Sequence, residues 1–164
     1  MTGRISASRI LDESADGVFS VVTDISRLPE WNTAITAVIE QPDHLETGAE
    51  WVIEMRALGH RWRSRSIVEV LNPTGRCFAY RSVTDDGNPS YALWTWLIAD
   101  HTDGALVTVA CELHPLTFWR RTLLVRIRSR QLAHTELIHS LTALGRTARC
   151  STGTVPRVYT GGEQ

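Results

Sequence analysis

The sequence predicts an α+β fold in which a curved antiparallel sheet wraps round one long C-terminal helix, with a pocket between sheet and helix. Residues 34–113 alternate between apolar and polar side chains in short runs separated by turn residues, as antiparallel strands do. Residues 116–148 instead carry apolar side chains at helical spacing. Strands and helices do not alternate along the chain, which argues against a parallel sheet.

The chain begins with a predicted strand over residues 4–11, followed by two short helices. Ser14 is placed to cap the first helix, and either Asp24 or Ser26 to cap the second, which has Pro29 in its first turns. Both helices carry apolar side chains for burial, namely Val18, Phe19, Val22, Ile25, Leu28 and Trp31. Because the two helices are too short to form a core, we expect them to cover one end of the sheet.

Six strands are predicted to follow as a meander, with turns rich in Gly, Pro, Asn and Asp between them. They cover residues 34–40, 51–56, 61–70, 77–83, 91–99 and 105–113. In the strand over 61–70, apolar and small side chains share one face and arginines the other: Trp62, Ser64, Ser66, Val68 and Val70 against Arg61, Arg63 and Arg65. We place the Trp62 face toward the core, because burying three arginines together would be prohibitive.

The last predicted element is a helix over residues 116–148, about 45 Å long at 1.5 Å per residue and capped by Thr117. One face of this helix is mainly apolar and contains Leu123, Ile127, His134, Leu137, Ile138, Leu141 and Ala148. From Ser151 onward the composition is typical of a flexible tail. We therefore predict one domain over residues 1–150 and a tail over 151–164.

Composition excludes several kinds of chemistry. All 17 basic residues are arginine, which excludes a lysine Schiff base and a Walker-type phosphate loop. The three cysteines are far apart and form no metal-binding spacing, so we expect reduced thiols in a cytoplasmic protein, with no metal and no cofactor. The N-terminus has no long apolar run, so we expect no signal peptide and no stable membrane insertion.

Charge is unevenly distributed along the chain. The net charge of -1 gives no reason to expect nucleic acid as a partner. Residues 117–149, however, contain seven arginines and one acidic residue, Glu136. These arginines either solvate the outer side of the last helix, with their stems along the apolar face, or contact an anionic partner.

The order of elements and several segments resemble the START-like or SRPBCC superfamily, in its polyketide cyclase/dehydrase-like branch. The similar segments are SADGVFSVVTDISRLPEWN at 14–32, VEVLNPTGRCFAYR at 68–81, TDGALVTVACEL at 102–113 and the closing helix. The resemblance covers roughly residues 5–149. It implies a helix-grip fold, with seven strands curled round the last helix and a deep apolar cavity. Members of the superfamily include lipid carriers, hormone receptors and polyketide aromatase/cyclases.

Tryptophans and small polar residues are the candidates for lining this cavity. Trp51, Trp62, Trp94 and Trp96 come from three strands and are predicted to face the concave side, where they either line a pocket or fill a solid core. We expect at least two of them to line the pocket. The predicted ligand-binding residues are Trp31, Trp51, Trp62, Ser64, Ser66, Trp94, Trp96, Ile127, His134 and Ile138.

His134 and Arg130 are the candidate catalytic residues. His134 lies in the apolar face of the last helix, and Arg130 precedes it by one turn. Alternatively, His134 is a hydrogen-bonded core histidine and Arg130 an arginine at the edge of the apolar face. In the aromatase/cyclases of the superfamily, catalysis is attributed to an arginine and to hydroxyl or imidazole groups in the cavity. Here Arg63 and Arg65 lie near the position of that arginine but are predicted to point outward.

Two hypotheses for function follow. We favour binding of a small hydrophobic or aromatic molecule in the cavity, without covalent chemistry and by a monomer or homodimer. The alternative is a polyketide aromatase/cyclase or dehydratase in which arginine or hydroxyl donors polarise carbonyls and His134 moves protons. A third hypothesis is an interaction module that uses the arginine-rich helix.

Overall fold

The computed structural model describes residues 3–57, 59–116 and 137–152. Its strands are β1 Gly3–Leu11, β2 Ile35–Glu40, β3 Glu50–Ala57, β4 His60–Asn72, β5 Cys77–Thr84, β6 Tyr91–His101 and β7 Gly104–His114. Its helices are α1 Ala15–Thr23, α2 Leu28–Trp31 and α3 Leu137–Thr152, with a 3-10 turn at Ile25–Arg27. Within these ranges, no helix is long and apolar enough to cross a membrane.

All seven strands form one antiparallel sheet in the order β1-β7-β6-β5-β4-β3-β2. The six strands from β2 to β7 are a meander, and β1 pairs with β7 along the full length of β1. This arrangement makes β5 the central strand and leaves β1 and β2 at the edges. The predicted helix-grip fold, with one strand, two short helices, a meander and a closing helix, is confirmed.

Capping side chains mark where the helical segments after β1 begin. The Ser14 hydroxyl accepts a hydrogen bond from the Gly17 N–H at 3.1 Å and caps α1. The Asp24 carboxylate accepts from the Ser26 N–H at 3.1 Å, so Asp24 rather than Ser26 is the cap of the following 3-10 turn. Both helices bury their apolar side chains in the core, as predicted, although Phe19 is only half-buried.

Strand β4 follows the predicted pattern as far as Val68 and then departs from it. Ser64, Ser66 and Val68 are buried on the face that bears the core, which we call the inner face. A β-bulge between Val68 and Val70 shifts the pairing with β5, so that Val70 turns to the opposite, outer face and is 43% exposed. The prediction that Val70 faces inward was therefore wrong, because one extra residue reverses the alternation.

The predicted arginine face of β4 is the outer face. Arg61 forms an ion pair with Glu54 at 3.6 Å, and Arg65 with Glu50 at 3.1 Å. Arg63 is exposed between them. The bulge lies beyond these residues, so it does not turn any of the three arginines inward.

The described part of the last helix packs through one face. Leu137, Leu141, Leu144 and Ala148 are buried in the core, whereas Ile138 is 48% exposed. The prediction that Ile138 belongs to the buried face was wrong, because a residue next to Leu137 is turned by about 100° around the helix axis. Helix α3 continues to Thr152, two residues past the predicted domain end. The predicted helical residues 117–136, and the tail from residue 153, lie outside the described residues.

Candidate ligand-binding site

Four aromatic rings stand next to one another on the inner face of the sheet, and we call them the aromatic row: Trp51, Phe78, Tyr80 and Trp94. The centroid of the Tyr80 ring lies 5.0 Å from that of Trp51, 5.3 Å from Phe78 and 6.5 Å from Trp94. Register explains the arrangement, since Tyr80 on β5 pairs directly with Trp94 on β6. Ring pairs at such distances contribute about 0.5–1.5 kcal/mol each beyond the burial of their area.

A second aromatic contact joins α2 to the sheet. The rings of Trp31 and Trp96 meet edge to face, with centroids 5.3 Å apart and an interplanar angle of 83°. Trp96 pairs with Phe78 across the strands, so this contact extends the aromatic row toward the short helices. Both tryptophans are buried, Trp31 with 1% and Trp96 with 3% of its surface exposed.

On β5 and β6, burial decreases along the inner face from the short helices toward the other end of the sheet, whereas Ser64, Ser66 and Cys111 on the neighbouring strands stay buried. Phe78 and Trp96 are buried, whereas Tyr80 and Trp94, one step along the same strands, are half-buried. Further inner-face residues in this direction are also half-buried, namely Met55, Trp62, Ser82, Thr84, Ala92 and Leu113. Accessible aromatic surface near the centre of a seven-stranded sheet makes this region the candidate wall of a ligand cavity.

Three serines lie together on the inner face of β4 and β5. The Ser64 hydroxyl bonds the Ser82 hydroxyl at 2.6 Å and donates to the Val83 carbonyl at 3.0 Å. Ser66 is fully buried, and its hydroxyl has no hydrogen-bond partner among the described residues. The same is true of the indole N–H of Trp31. Such groups are rare because each costs about 1–3 kcal/mol. Both atoms are enclosed by protein, so a ligand or an ordered water reaches them only after a local movement of side chains.

The Tyr80 phenol is neutral at physiological pH. Burial raises the pKa of Tyr80 well above its usual range, and the neighbouring indole of Trp96 lowers it by less. A neutral phenol can both donate and accept a hydrogen bond. Tyr80 therefore provides one group within the aromatic row that can both donate and accept a hydrogen bond.

The predicted site residues occupy three kinds of position. Trp51, Trp94, Trp96, Trp62, Ser64 and Ser66 lie on the inner face, and Trp31 packs against it from α2. Ile138 lies on the exposed side of α3, away from this face. Ile127, Arg130 and His134 lie outside the described residues. Sequence reasoning missed Phe78 and Tyr80, although the alternation over 77–83 places them, with Ser82, on one face.

The described part of the inner face holds no cluster of titratable groups of the kind that binds a metal ion. In the three described ranges, no group of three His, Cys, Asp or Glu side chains lies close enough to hold a metal ion. The cysteines Cys77, Cys111 and Cys150 form no disulfide bond with one another. The polar groups of the described inner face include hydroxyls, a phenol, an indole and the thiol of Cys111.

Solved structures share this fold. The ZhuI aromatase/cyclase from a Streptomyces species matches with a TM-score of 0.74 and 14% identity, over 94% of this chain and 98% of that one. The di-domain aromatase/cyclase StfQ of the steffimycin pathway matches with a TM-score of 0.74 and 10% identity, over 93% of this chain and 52% of that one. Major latex-like protein 151 from Panax ginseng matches with a TM-score of 0.68 and 10% identity, over 90% of this chain and 98% of that one.

Comparison with curated protein sequences gives no match. The family model described as polyketide cyclase/dehydrase and lipid transport, in contrast, matches residues 2–135, which is most of the chain. This match agrees with the order of elements, the helix-grip topology and the aromatic inner face. The chain therefore belongs to the polyketide cyclase/dehydrase and lipid transport family, within the SRPBCC superfamily that its sequence resembles.

Proposed function

We propose that the chain binds a small hydrophobic or aromatic molecule in a cavity between the inner face of the sheet and the C-terminal helix. The observation that carries this proposal is the half-buried state of Tyr80 and Trp94 on β5 and β6, at the centre of the sheet. A flat apolar molecule that covered about 150 Å² of this ring surface would gain about 4 kcal/mol, at 25 cal/mol per Å². That gain is about half of the binding free energy of about 8 kcal/mol that micromolar affinity requires.

The polar groups of the inner face support the same proposal. Apolar pockets generally orient a ligand through a small number of polar contacts. Ser66 and Trp31 each carry a buried donor without a partner among the described residues, and Tyr80 adds a neutral phenol. We therefore expect the ligand to be mainly apolar and to carry an oxygen atom that accepts a hydrogen bond from one of these groups.

The proposal is tested with Nile red, a neutral apolar dye, titrated into the purified chain while tryptophan emission is followed. We expect micromolar-class binding that Trp94→Ala weakens by about 10-fold or more. Leu93→Ala is the matched control, because Leu93 is the preceding residue of β6 and lies on the outer face. Urea unfolding of both variants separates lost binding from lost folding. Equal dye affinity for the wild type and both variants, all folded, would contradict the proposal.

A second candidate function is that of an aromatase/cyclase or dehydratase acting on a poly-ketone chain. The neutral Tyr80 phenol favours it, because a phenol that stays protonated can donate a hydrogen bond to a substrate carbonyl as negative charge develops on that oxygen. His134 and Arg130 remain the predicted groups for proton transfer. Native mass spectrometry distinguishes the two functions: a binding protein returns a poly-ketone mimic unchanged, whereas an enzyme converts it to a cyclised product that has lost water. Tyr80→Phe should slow that conversion while Nile red still binds.

A further inference from the structure

The outer face of the sheet carries an uncharged patch, which we call the outer patch, across β1, β7, β6, β5 and β4. Strand register sets three successive rows in it, in which Ile10 pairs with Leu106, Leu97 with Thr108, and Val70 with Ala79. The other positions of the three rows carry Ala, Ser, Thr and Cys side chains, and the β4 end of the Leu97 row carries Asn72. Charged residues ordinarily occupy the solvent face of a sheet, so an uncharged area of this width calls for an explanation.

Three large apolar side chains are exposed along a diagonal of the outer patch. Ile10 is 45% exposed, Leu97 is 47% exposed and Val70 is 43% exposed. Val70 belongs to the patch only because the bulge in β4 turns it outward. The hydroxyls of Ser8 and Thr108, which lie in the Leu97 row, bond each other at 2.8 Å, and this contact satisfies one of their two O–H donors. These are the properties of a surface that can be covered by protein at low cost.

The charges that border the patch show which kind of partner fits. In the adjoining row, Arg4 is paired with Glu112 at 3.6 Å, and Arg81 with Glu69 at 3.2 Å. This side of the border is therefore electrically balanced and offers no unpaired arginine to an anionic membrane or to nucleic acid. A protein surface with the same balance of apolar centre and paired rim fits it, and a second copy of this chain has that surface.

We propose that two copies of the chain form a homodimer by packing their outer patches face to face, with Leu97 close to the twofold axis. Five strands at 4.8 Å spacing and three rows of side chains give the patch about 400 Å². A stable interface buries about 800 Å² on each partner, so the patch supplies the apolar core and the paired charges the rim. Leu97 lies on the middle strand of these five and in the middle row, which places it at the centre. The inference does not rest on the proposed ligand site, which is on the inner face.

Sedimentation equilibrium of the full chain at micromolar concentration tests the proposal, with an expected mass of twice 18.4 kDa. Leu97→Arg would bring two guanidinium groups together at the axis, and we expect it to raise the dimer dissociation constant by about 100-fold or more. The matched control is Ile39→Arg, because Ile39 is 42% exposed on the edge strand β2, outside the patch.

Circular dichroism checks that each variant is folded, and Ile10→Arg repeats the test at a second position if Leu97→Arg fails to fold. Dissociation by the patch variants alone supports the proposal. A monomeric wild type, a dimer that survives the patch variants, or a dimer that Ile39→Arg also dissociates would overturn it. Co-sedimentation of a monomer with phosphatidylcholine vesicles would assign the patch to a lipid surface instead, and would equally overturn it.

Discussion

Replacing Ser66 with Ala should stabilise the protein, whereas the same change at Ser64 should destabilise it. The two serines lie on the same face of β4, two residues apart, and both are buried, with 0% and 3% of their surface exposed. Their hydroxyls differ in one respect. Ser64 makes hydrogen bonds to Ser82 and Val83, and Ser66 makes none among the described residues. The pair therefore isolates the energetic effect of an unpaired buried hydroxyl.

The magnitudes follow from the general energetics of hydrogen bonds. An unpaired buried hydroxyl costs about 1–3 kcal/mol, and the void left by one oxygen atom costs only about 0.3 kcal/mol. Ser66→Ala should thus raise the free energy of unfolding by about 1 kcal/mol or more. Ser64→Ala loses two hydrogen bonds and should lower it by about 2 kcal/mol. In a chain of 164 residues, 1 kcal/mol corresponds to a shift in melting temperature of about 2–4 °C.

Urea unfolding by linear extrapolation measures both variants, and an unchanged dependence on urea concentration checks that the unfolded state is unaffected. Nile red titration of the same variants shows whether Ser66 contributes to binding. A loss of 1 kcal/mol or more in Ser66→Ala would refute the reasoning, because it would mean that the hydroxyl is already paired, for example by an ordered water. Ser66 would then lose its role as a free donor for the ligand.

Three further outcomes are expected. Gly104→Ala should lower the free energy of unfolding by about 3 kcal/mol or more, because φ is +125° there and a Cβ would overlap the Leu11 carbonyl oxygen. Gly87→Ala should lower it by only about 1 kcal/mol, because φ is +73° but no atom lies near the added Cβ. Thermal unfolding compares the two variants. The hydrogen bond and charge of Arg76 hold the pKa of Asp16 below its ordinary 3.8. The ionised Asp16 therefore stabilises the fold above about pH 4, and this contribution is lost as the pH falls through the lower pKa of the folded state. The free energy of unfolding should differ less between about pH 5 and about pH 3 in Asp16→Asn than in the wild type. Deleting residues 153–164 should shift the melting temperature by less than about 2 °C, because their sequence has no periodic apolar face, and a larger shift would show that they belong to the domain.

Most of the fold could be predicted because its signals are local. The Ser14 and Asp24 caps, the Gly- and Pro-containing turns and the alternation along the strands each depend on a few neighbouring residues. The arginine face of β4 was likewise predictable, since burying Arg61, Arg63 and Arg65 together would cost too much. The two wrong predictions concern residues where the alternation of a strand is interrupted or where the edge of a helix's apolar face is poorly defined by the sequence. A bulge reversed Val70, and the boundary of the apolar face on α3 excluded Ile138.

The candidate site was less predictable because it depends on contacts between strands. The alternation over 77–83 places Tyr80 on the inner face, but only the register of β5 with β6 brings its ring against Trp94. The missing partner of the Ser66 hydroxyl is similarly a property of the surrounding packing, since Ser64 has the same local sequence pattern and is fully paired. Residue type and spacing could indicate a pocket of tryptophans and serines. They could not show which hydroxyl would be free.

In strand β4, the usual pattern of apolar side chains inside and polar side chains outside is broken once before the bulge and once after it. Before the bulge, Ser66 places an unpaired hydroxyl in the core, and after it Val70 places an apolar side chain in water. Each departure has an energetic cost that Ala or Val at position 66, and a polar residue at 70, would avoid. Residues that break the local pattern of apolar and polar side chains are expected at functional or strained sites. The two proposals made above assign the inner departure to a ligand and the outer one to a second copy, so that one strand would serve both surfaces of the sheet.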